Sequence, residues 1–232
     1  MQPLLGQLTL KLMRDEAVFD NFYPGNNAEI IDILKKSVIG IGEQVIYLCG
    51  TRGHGLTHLL HACCHEAHQQ KLSSIYLPLA SLLSLSPELL KGCEAMNVVC
   101  LDDIQVIAAN PHWEEAVFHL YNRVYDMGGR IIMAAKTLPK TLNLHLPDLV
   151  SRLSWGVVYQ LHPLDDREKL NALIMRAERR GISLSNETGN YLLTHCPRQM
   201  NTLFAALDAL DKASLAAKRR LTIPFVKEVL QI

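Results

Sequence analysis

Short apolar runs rich in β-branched residues alternate with longer stretches of helical periodicity up to about residue 163. Continuous apolar runs of this length are typical of parallel strands that are buried on both faces. Strands that alternate with helices form a parallel sheet with helices on both sides and ligands at the carboxyl ends of the strands. The pattern therefore predicts an α/β domain with five strands, at 44–49, 73–79, 97–103, 130–136 and 156–161.

The remainder of the chain shows only helical patterns. A first helix is expected to begin at Asp165 or Asp166 and to end at Gly181, and further helices are expected after Ser185, over about 198–218 and after Thr222. A small all-helical domain is thus predicted. The expected boundaries are 1–18 for an N-terminal tail, 19–162 for the α/β domain and 163–232 for the helical domain.

Composition narrows the class of partner. The 232 residues are 49% hydrophobic, and 23 basic side chains balance 23 acidic ones. No overall field therefore attracts nucleic acid or an anionic membrane, which favours a protein or small-molecule partner. The six cysteines form no C-x-x-C pair, and no signal peptide or membrane span is recognisable. We expect a reducing, cytoplasmic location.

The segment GTRGHGLT follows the first predicted strand and precedes a helical run. It fits the phosphate-binding pattern G-x-x-x-x-G-K-[ST] except that Leu56 stands in the lysine position. Glycines in such a loop let successive N–H groups contact phosphate oxygens at a helix N-terminus. The alternative is a glycine-rich turn without a ligand. The predicted nucleotide-binding residues of the loop are Gly50, Thr51, Arg52, Gly53, His54, Gly55, Leu56 and Thr57.

The leucine changes the chemistry that this loop can support. Without the lysine, no loop cation lies between the β- and γ-phosphates, where charge develops during phosphoryl transfer. Binding of a nucleoside diphosphate should therefore suffer less than hydrolysis of a triphosphate. Arg52, His54 or His58 could compensate for part of the missing charge.

A second motif, NVVCLDDIQ, is an apolar strand that ends in two carboxylates. Beside a phosphate-binding loop, Asp102 would hold Mg²⁺ together with Thr57, and Asp103 would orient or deprotonate the attacking water. The alternative is a strand that ends in a solvated turn.

Four histidines recur on one face of the helix after the loop. Their spacing of three, four and three residues could bind Zn²⁺, although a polar helix face is the simpler interpretation. The four positions are His58, His61, His65 and His68.

Several segments resemble AAA+ ATPases, and in detail the bacterial replication initiator DnaA: FDNFYPGNNAEI, THLLHA, LDDIQ, LPDLVSRLSWG and PRQMNTLFAAL. The resemblance implies an AAA+ P-loop domain with a five-stranded parallel sheet, followed by a small all-helical lid domain. It implies that Phe22 and Tyr23 lie beside the base and that Arg198 senses the phosphates from the lid. Arg152 matches the arginine finger that reaches the nucleotide of a neighbouring subunit.

Two departures from DnaA point to a DnaA-related regulator. One is the leucine in the loop, and the other is that no helix-turn-helix segment is recognisable after the predicted helical domain. The first-sensor position, which offers Lys136 or Thr137, also departs from the family pattern and is a second reason to expect little autonomous hydrolysis.

The segment QLTLKL resembles the motif by which bacterial proteins dock into the DNA polymerase sliding clamp. A glutamine that forms hydrogen bonds and alternate leucines that fill an apolar groove suit such a peptide ligand. An ordinary apolar strand is the alternative. The predicted clamp-binding residues are Gln7, Leu8, Leu10 and Leu12.

The expected function is that of an AAA+ regulator that holds ADP or another nucleoside diphosphate, with Mg²⁺ as a possible companion. Docked on the sliding clamp, it would stimulate ATP hydrolysis by DnaA in trans through Arg152 and so prevent replication re-initiation. It would hydrolyse little ATP itself. No sequence-specific DNA binding and no membrane association are expected, and a homodimer is left open. The alternatives are an autonomous P-loop ATPase or small-molecule kinase, and an adaptor that needs only the clamp peptide and the fold.

Overall fold

The computed structural model describes residues 17–51 and 53–232. The strands are β1 Val45–Cys49, β2 Ser74–Pro78, β3 Val98–Asp102, β4 Arg130–Ala135 and β5 Val157–Gln160. The helices are α1 Ala28–Val38, α2 Leu56–Gln69, α3 Leu79–Leu82, α4 Pro111–Asp126, α5 Pro147–Leu153, α6 Asp166–Arg179, α7 Asn186–His195, α8 Met200–Ala217 and α9 Ile223–Leu230. None of the helices in these residues is both long and apolar enough to cross a membrane.

The five strands form one parallel sheet in the order β2-β3-β4-β1-β5. Every residue of β1 and of β3 is buried, because helices cover both faces of the sheet. The predicted strands are all present, with ends that differ from the prediction by at most one residue. The predicted fold class is confirmed.

Two hydrophobic cores lie on opposite faces of the sheet. Trp113 and Val117 of α4 pack against one face, and Leu34 of α1 and Leu59 of α2 pack against the other. Successive strand residues alternate between the two cores, as the pleat of a strand requires.

Helices α6–α9 enclose a third core and form the lid of the molecule. Asp165 caps α6: its carboxylate accepts a hydrogen bond from the Glu168 N–H at 2.7 Å, and its own N–H donates to Glu168 Oε2 at 2.8 Å. This capping box identifies Asp165 as the N-cap among the two aspartates considered from sequence.

Asn27, the residue before α1, is hydrogen-bonded to the segment that connects β5 to the lid. Its amide Nδ2 donates to the His162 carbonyl oxygen at 3.0 Å, and the His162 N–H donates to Asn27 Oδ1 at 2.7 Å. Asn27 is 2% exposed, so both polar groups of its side chain are satisfied inside the protein. These bonds fix the point at which the chain leaves β5 for the lid.

Candidate functional site

A cavity of about 770 Å³ lies at the carboxyl ends of β1 and β3, between the sheet and the lid. A cleft at this edge of a parallel sheet is the usual ligand site of α/β proteins. Predicted nucleotide- and metal-site residues that line it are Phe22, Tyr23, Gly50, Thr51, Gly53, His54, Gly55, Leu56, Thr57, Asp102, Asp103 and Arg198. Arg52 and the predicted clamp-binding residues Gln7, Leu8, Leu10 and Leu12 lie outside the described residues.

The loop between β1 and α2 depends on two glycines with positive φ. Gly53 has φ +94° and Gly55, the N-cap of α2, has φ +88°. A Cβ atom at Gly55 would lie 2.6 Å from the Phe22 ring. No side chain caps the first turn of α2. The helix therefore presents its N-terminal N–H groups at the cavity, as an anion site requires.

Leu56, in the lysine position of the loop, has apolar surroundings in the structure. Leu56 is half-buried and packs against the core on the α2 face of the sheet. Nearby, His54 Nε2 and Thr51 Oγ1 are 2.9 Å apart. Burial lowers the pKa of His54, which favours its neutral form. The histidine therefore supplies little of the charge that a lysine would bring.

Thr57 and Asp102 meet at the mouth of the loop. The Thr57 hydroxyl donates to Asp102 Oδ2 at 2.7 Å, and the Tyr76 hydroxyl donates to the same oxygen at 2.8 Å. Oδ1 accepts from the Asp103 N–H at 2.9 Å. Asp102 is 4% exposed, so these bonds hold a nearly buried carboxylate in one orientation. Sequence reasoning missed Tyr76, which β2 brings beside β3.

Asp103 takes part in a link between two strand ends. Its φ is +59°, and its Oδ1 accepts a hydrogen bond from Gln105 Nε2 at 2.7 Å. Gln105 Oε1 in turn accepts from the Lys136 N–H at 3.1 Å. Of the two candidates for the first-sensor position, Lys136 lines the cavity, while the Thr137 carbonyl oxygen accepts from the Tyr47 hydroxyl at 2.8 Å.

Aromatic and imidazole rings line the part of the cavity next to the N-terminal segment. The rings of Phe22 and His58 are 5.5 Å apart, and His58 Nε2 lies 2.9 Å from the Val18 carbonyl oxygen. Burial lowers the pKa of His58. Tyr23 accepts a hydrogen bond on its hydroxyl from Asn171 Nδ2 at 3.3 Å, which joins this segment to the lid.

Two lid arginines face the cavity. Arg198 lines it and donates from Nη1 to Asp166 Oδ2 at 2.8 Å. Arg176 of α6 also lines it and lies 4.3 Å from the Phe204 ring centroid. Sequence reasoning did not single out Arg176. Arg176 could have been found from its position three residues after the core residue Leu173, which places it near the buried face of α6.

Arg152, on α5, does not line this cavity. Its guanidinium carbon lies 5.1 Å from the Trp155 ring centroid and 6.0 Å from that of Tyr121. Burial raises the pKa of Tyr121 to about 12, with the Arg152 charge acting in the opposite direction. The structure thus separates Arg152 from the other predicted site residues.

The histidine face of α2 has other partners. The His61 ring lies 4.0 Å from the Tyr76 ring, and Gln69 Nε2 donates to His65 Nε2 at 2.9 Å. Within residues 17–51 and 53–232, no group of three or more His, Cys, Asp or Glu side chains is arranged to hold a metal ion. His68 lies at the exposed end of the same helix.

Family models match two adjoining parts of the chain. The model of the bacterial DnaA ATPase domain matches residues 86–160, and the model of the Hda lid domain matches residues 166–230.

Solved structures share the fold. Domain III of DnaA from Thermotoga maritima has a TM-score of 0.79 at 21% identity, covering 93% of this chain and 96% of that one. AMPPCP-bound DnaA from Aquifex aeolicus has a TM-score of 0.73 at 23% identity, covering 83% of this chain and 64% of that one. The RuvB Holliday junction branch migration motor of Thermotoga maritima has a TM-score of 0.70 at 14% identity, covering 94% of this chain and 72% of that one.

The two family models match complementary segments, one on the α/β part and one on the lid, and the AAA+ neighbours share the overall fold. The chain therefore has the AAA+ fold, and its two parts are related to the DnaA ATPase domain and to the Hda lid domain.

Proposed function

We propose that this protein holds a nucleoside diphosphate as a structural ligand and stimulates ATP hydrolysis by DnaA in trans through Arg152. The observation that carries the proposal is that Arg152 does not line the protein's own cavity. The protein's own cavity has leucine in place of the catalytic lysine, while Arg152 lies outside that cavity on a surface of aromatic rings. A cation placed there cannot serve the protein's own nucleotide and is available to a neighbour.

The residues of the cavity fit a nucleoside diphosphate. The glycines of the loop and the first turn of α2 present N–H donors that suit phosphate oxygens. A Cβ at Gly55 would lie 2.6 Å from the Phe22 ring, so glycine lets this ring pack directly against the start of α2. Phe22 and Tyr23 would flank the base and Arg198 would contact the phosphates. ADP is the proposed diphosphate, and the AMPPCP bound by DnaA from Aquifex aeolicus supports adenine as its base.

Mg²⁺ would be held by oxygen ligands already close together. The Thr57 hydroxyl and the Asp102 carboxylate are hard donors of the kind that Mg²⁺ takes beside phosphates. When bound, the ion would neutralise phosphate charge. Tyr76 keeps the Asp102 carboxylate oriented toward Thr57.

Arg152 would act on ATP bound by the partner. An arginine finger places positive charge on the γ-phosphate oxygens in the transition state, and in related nucleotidases it raises the rate by about a thousandfold or more. DnaA would return to its ADP form once the partner complex forms. Replication re-initiation would then be suppressed.

Docking on the sliding clamp through Gln7, Leu8, Leu10 and Leu12 would restrict this activity to loaded clamps. This part of the proposal rests on the sequence motif, a glutamine followed by alternate leucines. The double change Gln7→Ala and Leu8→Ala should abolish clamp binding in surface plasmon resonance. The thermal midpoint should stay nearly unchanged, because a terminal tail contributes little to a core; a large drop would mean a structural strand.

The competing function is an autonomous ATPase, and the Thr57–Asp102 pair is the observation that favours it. Two measurements on the purified protein separate the two functions. Chromatography after denaturation should identify a co-purifying nucleoside diphosphate, and a phosphate-release assay should show negligible turnover. Sustained turnover of about one per second or faster, an ordinary enzyme rate, would establish the ATPase instead.

A further inference from the structure

The guanidinium of Arg152 is held by rings instead of by a carboxylate. Asp148 precedes it by one helical turn, at the spacing of a helix ion pair. The ion pairs found in the described part of the chain do not include Arg152. Its charge lies instead over Trp155 and Tyr121, at 5.1 and 6.0 Å from their centroids. These distances are within the range of a cation–π contact.

The choice of partner decides which part of the guanidinium stays available. A carboxylate takes the N–H edge of an arginine, often with two parallel hydrogen bonds. An aromatic ring takes the flat face and leaves the N–H donors free for a phosphate. Packing on rings therefore restricts the motion of Arg152 without consuming the donors that an arginine finger needs.

The rings are themselves firmly held. Tyr121 of α4 is 1% exposed and belongs to the core on that face of the sheet. Trp155 follows the end of α5, where its N–H donates to the Arg152 carbonyl oxygen at 3.1 Å. Gly156 then turns the chain with φ +89°, and a Cβ there would lie 2.4 Å from the Val45 carbonyl oxygen. Only glycine fits, so the turn that carries Trp155 is fixed against β1.

A third ring extends the same row. Tyr125 stacks on Trp155 with centroids 5.5 Å apart and on Tyr121 with centroids 6.3 Å apart. Trp155 nevertheless remains 52% exposed. A half-exposed tryptophan contributes less to the core than the buried Tyr121 does. Substitution of Trp155 therefore tests the contact with Arg152 at a lower cost in stability.

We propose that Trp155 and Tyr121 are positioning residues that clamp the flat face of Arg152 and present its N–H edge to the triphosphate of a partner protein. The inference rests on the proposed function of Arg152. It adds that the rate on the partner depends on two rings that never touch the nucleotide. Loss of a ring should lower the rate within the complex and leave the affinity for the partner unchanged.

The test is single-turnover hydrolysis of ATP on DnaA with DNA-loaded clamp, over a range of concentrations of this protein. Trp155→Leu keeps an apolar side chain without a ring, Trp155→Phe keeps a ring, and Arg152→Ala removes the cation. We expect Trp155→Leu to lower the saturating rate about tenfold and Trp155→Phe to stay within about twofold of wild type. The concentration of this protein that gives half of the maximal rate should be the same for wild type, Trp155→Leu and Trp155→Phe.

Two controls make the reading specific. Met127→Ser removes another exposed apolar side chain, 64% exposed, that belongs to neither ring contact of Arg152, and it should leave the saturating rate unchanged. In the double variant Arg152→Ala with Trp155→Leu, the tryptophan change should have no further effect, because it acts only through the arginine. Nucleotide affinity, measured by calorimetry, confirms that each variant is folded.

The failures can be told apart. Full stimulation by Arg152→Ala would overturn the proposed function itself. Loss with Arg152→Ala but an unchanged saturating rate with Trp155→Leu would overturn only the positioning role. If Trp155→Leu and Met127→Ser both raise the half-saturating concentration at an unchanged saturating rate, Trp155 is a docking residue and the positioning role is wrong.

Discussion

Arg198 and Arg152 are both predicted to act on phosphate, yet the structure surrounds them differently. Arg198, in the connection between α7 and α8, lines the protein's own cavity and is paired with Asp166 of α6. Arg152 is outside the cavity and rests on two aromatic rings. One arginine has its N–H edge occupied by a carboxylate that a ligand must displace. The other forms no ion pair with a carboxylate among the described residues.

This difference separates a cation for holding a ligand from a cation for use on a neighbour. The Arg198–Asp166 pair is exposed, with 62% and 54% of the side chains accessible, so it is weak and can be exchanged for a phosphate contact. Arg152 needs no exchange, because a ring face does not compete with phosphate for its donors. The comparison predicts that changes at the two arginines affect different measurements.

The largest effect is expected for Arg152→Ala. Stimulation of ATP hydrolysis on DnaA should fall by about a thousandfold, the contribution of an arginine finger in related nucleotidases. ADP affinity of the protein itself should not change, since Arg152 does not line the cavity. Stopped single-turnover assays and calorimetry on the same preparation measure the two quantities. An equal loss in both would show that the two regions are not independent.

The matched change, Arg198→Ala, should have the opposite profile. A charge-assisted hydrogen bond to phosphate contributes about 1.5–3 kcal/mol, so ADP should bind roughly ten- to a hundredfold more weakly. At ADP concentrations that keep the site filled, stimulation of DnaA should be close to that of wild type. Calorimetric titration gives the affinity. An unchanged dissociation constant would remove Arg198 from the proposed phosphate site.

Leu56→Lys restores the consensus of the phosphate-binding loop and tests whether the missing lysine limits triphosphate binding in the cavity. We expect the affinity for ATP to rise relative to ADP by about tenfold, because the lysine would contact the γ-phosphate. Leu56→Met is the control, with a similar volume and no charge. The measurement is competition between the two nucleotides for a fluorescent analogue. If Leu56→Lys and Leu56→Met behave alike, charge at this position does not limit triphosphate binding.

The smallest effect concerns pH. Burial lowers the pKa of His58, so the unfolded chain binds a proton more readily than the folded one. The contribution is fully present above the unfolded pKa of about 6.5 and is lost as pH falls below it. Urea unfolding at pH 7.5 and pH 5.5 should therefore show lower stability at the acid pH, with a smaller loss in His58→Gln. His54 shifts in the same direction, so part of the loss should persist. An identical loss in His58→Gln and wild type would contradict this assignment.

The elements of the fold follow from local patterns, and the contacts of the site do not. Buried strands can be predicted from short apolar runs in the sequence. The turn at Gly53 and Gly55 can be predicted as well, because few residues other than glycine adopt positive φ angles. Asp102 is readable because it ends a strand beside that loop. Each of these signals lies within a few residues of the chain.

The contacts that the sequence could not reveal join residues far apart in the chain. Tyr76 reaches Asp102 only because β2 and β3 pair in register, and Tyr121 reaches Arg152 only because α4 packs against α5. Arg176 was hidden for another reason, since an arginine on an amphipathic helix is usually assigned to its solvated face. Register and packing, which are set by the whole sheet, decide these contacts.

In the proposed mechanism, hydrolysis takes place on the partner's nucleotide and not on the protein's own. The most direct measurement places γ-labelled ATP on one protein at a time, either on DnaA with this protein holding unlabelled ADP, or on this protein with DnaA holding unlabelled ADP, and follows release of label on DNA-loaded clamps. We expect fast release in the first arrangement, abolished by Arg152→Ala, and negligible release in the second. Fast release in the second arrangement, unaffected by Arg152→Ala, would contradict it.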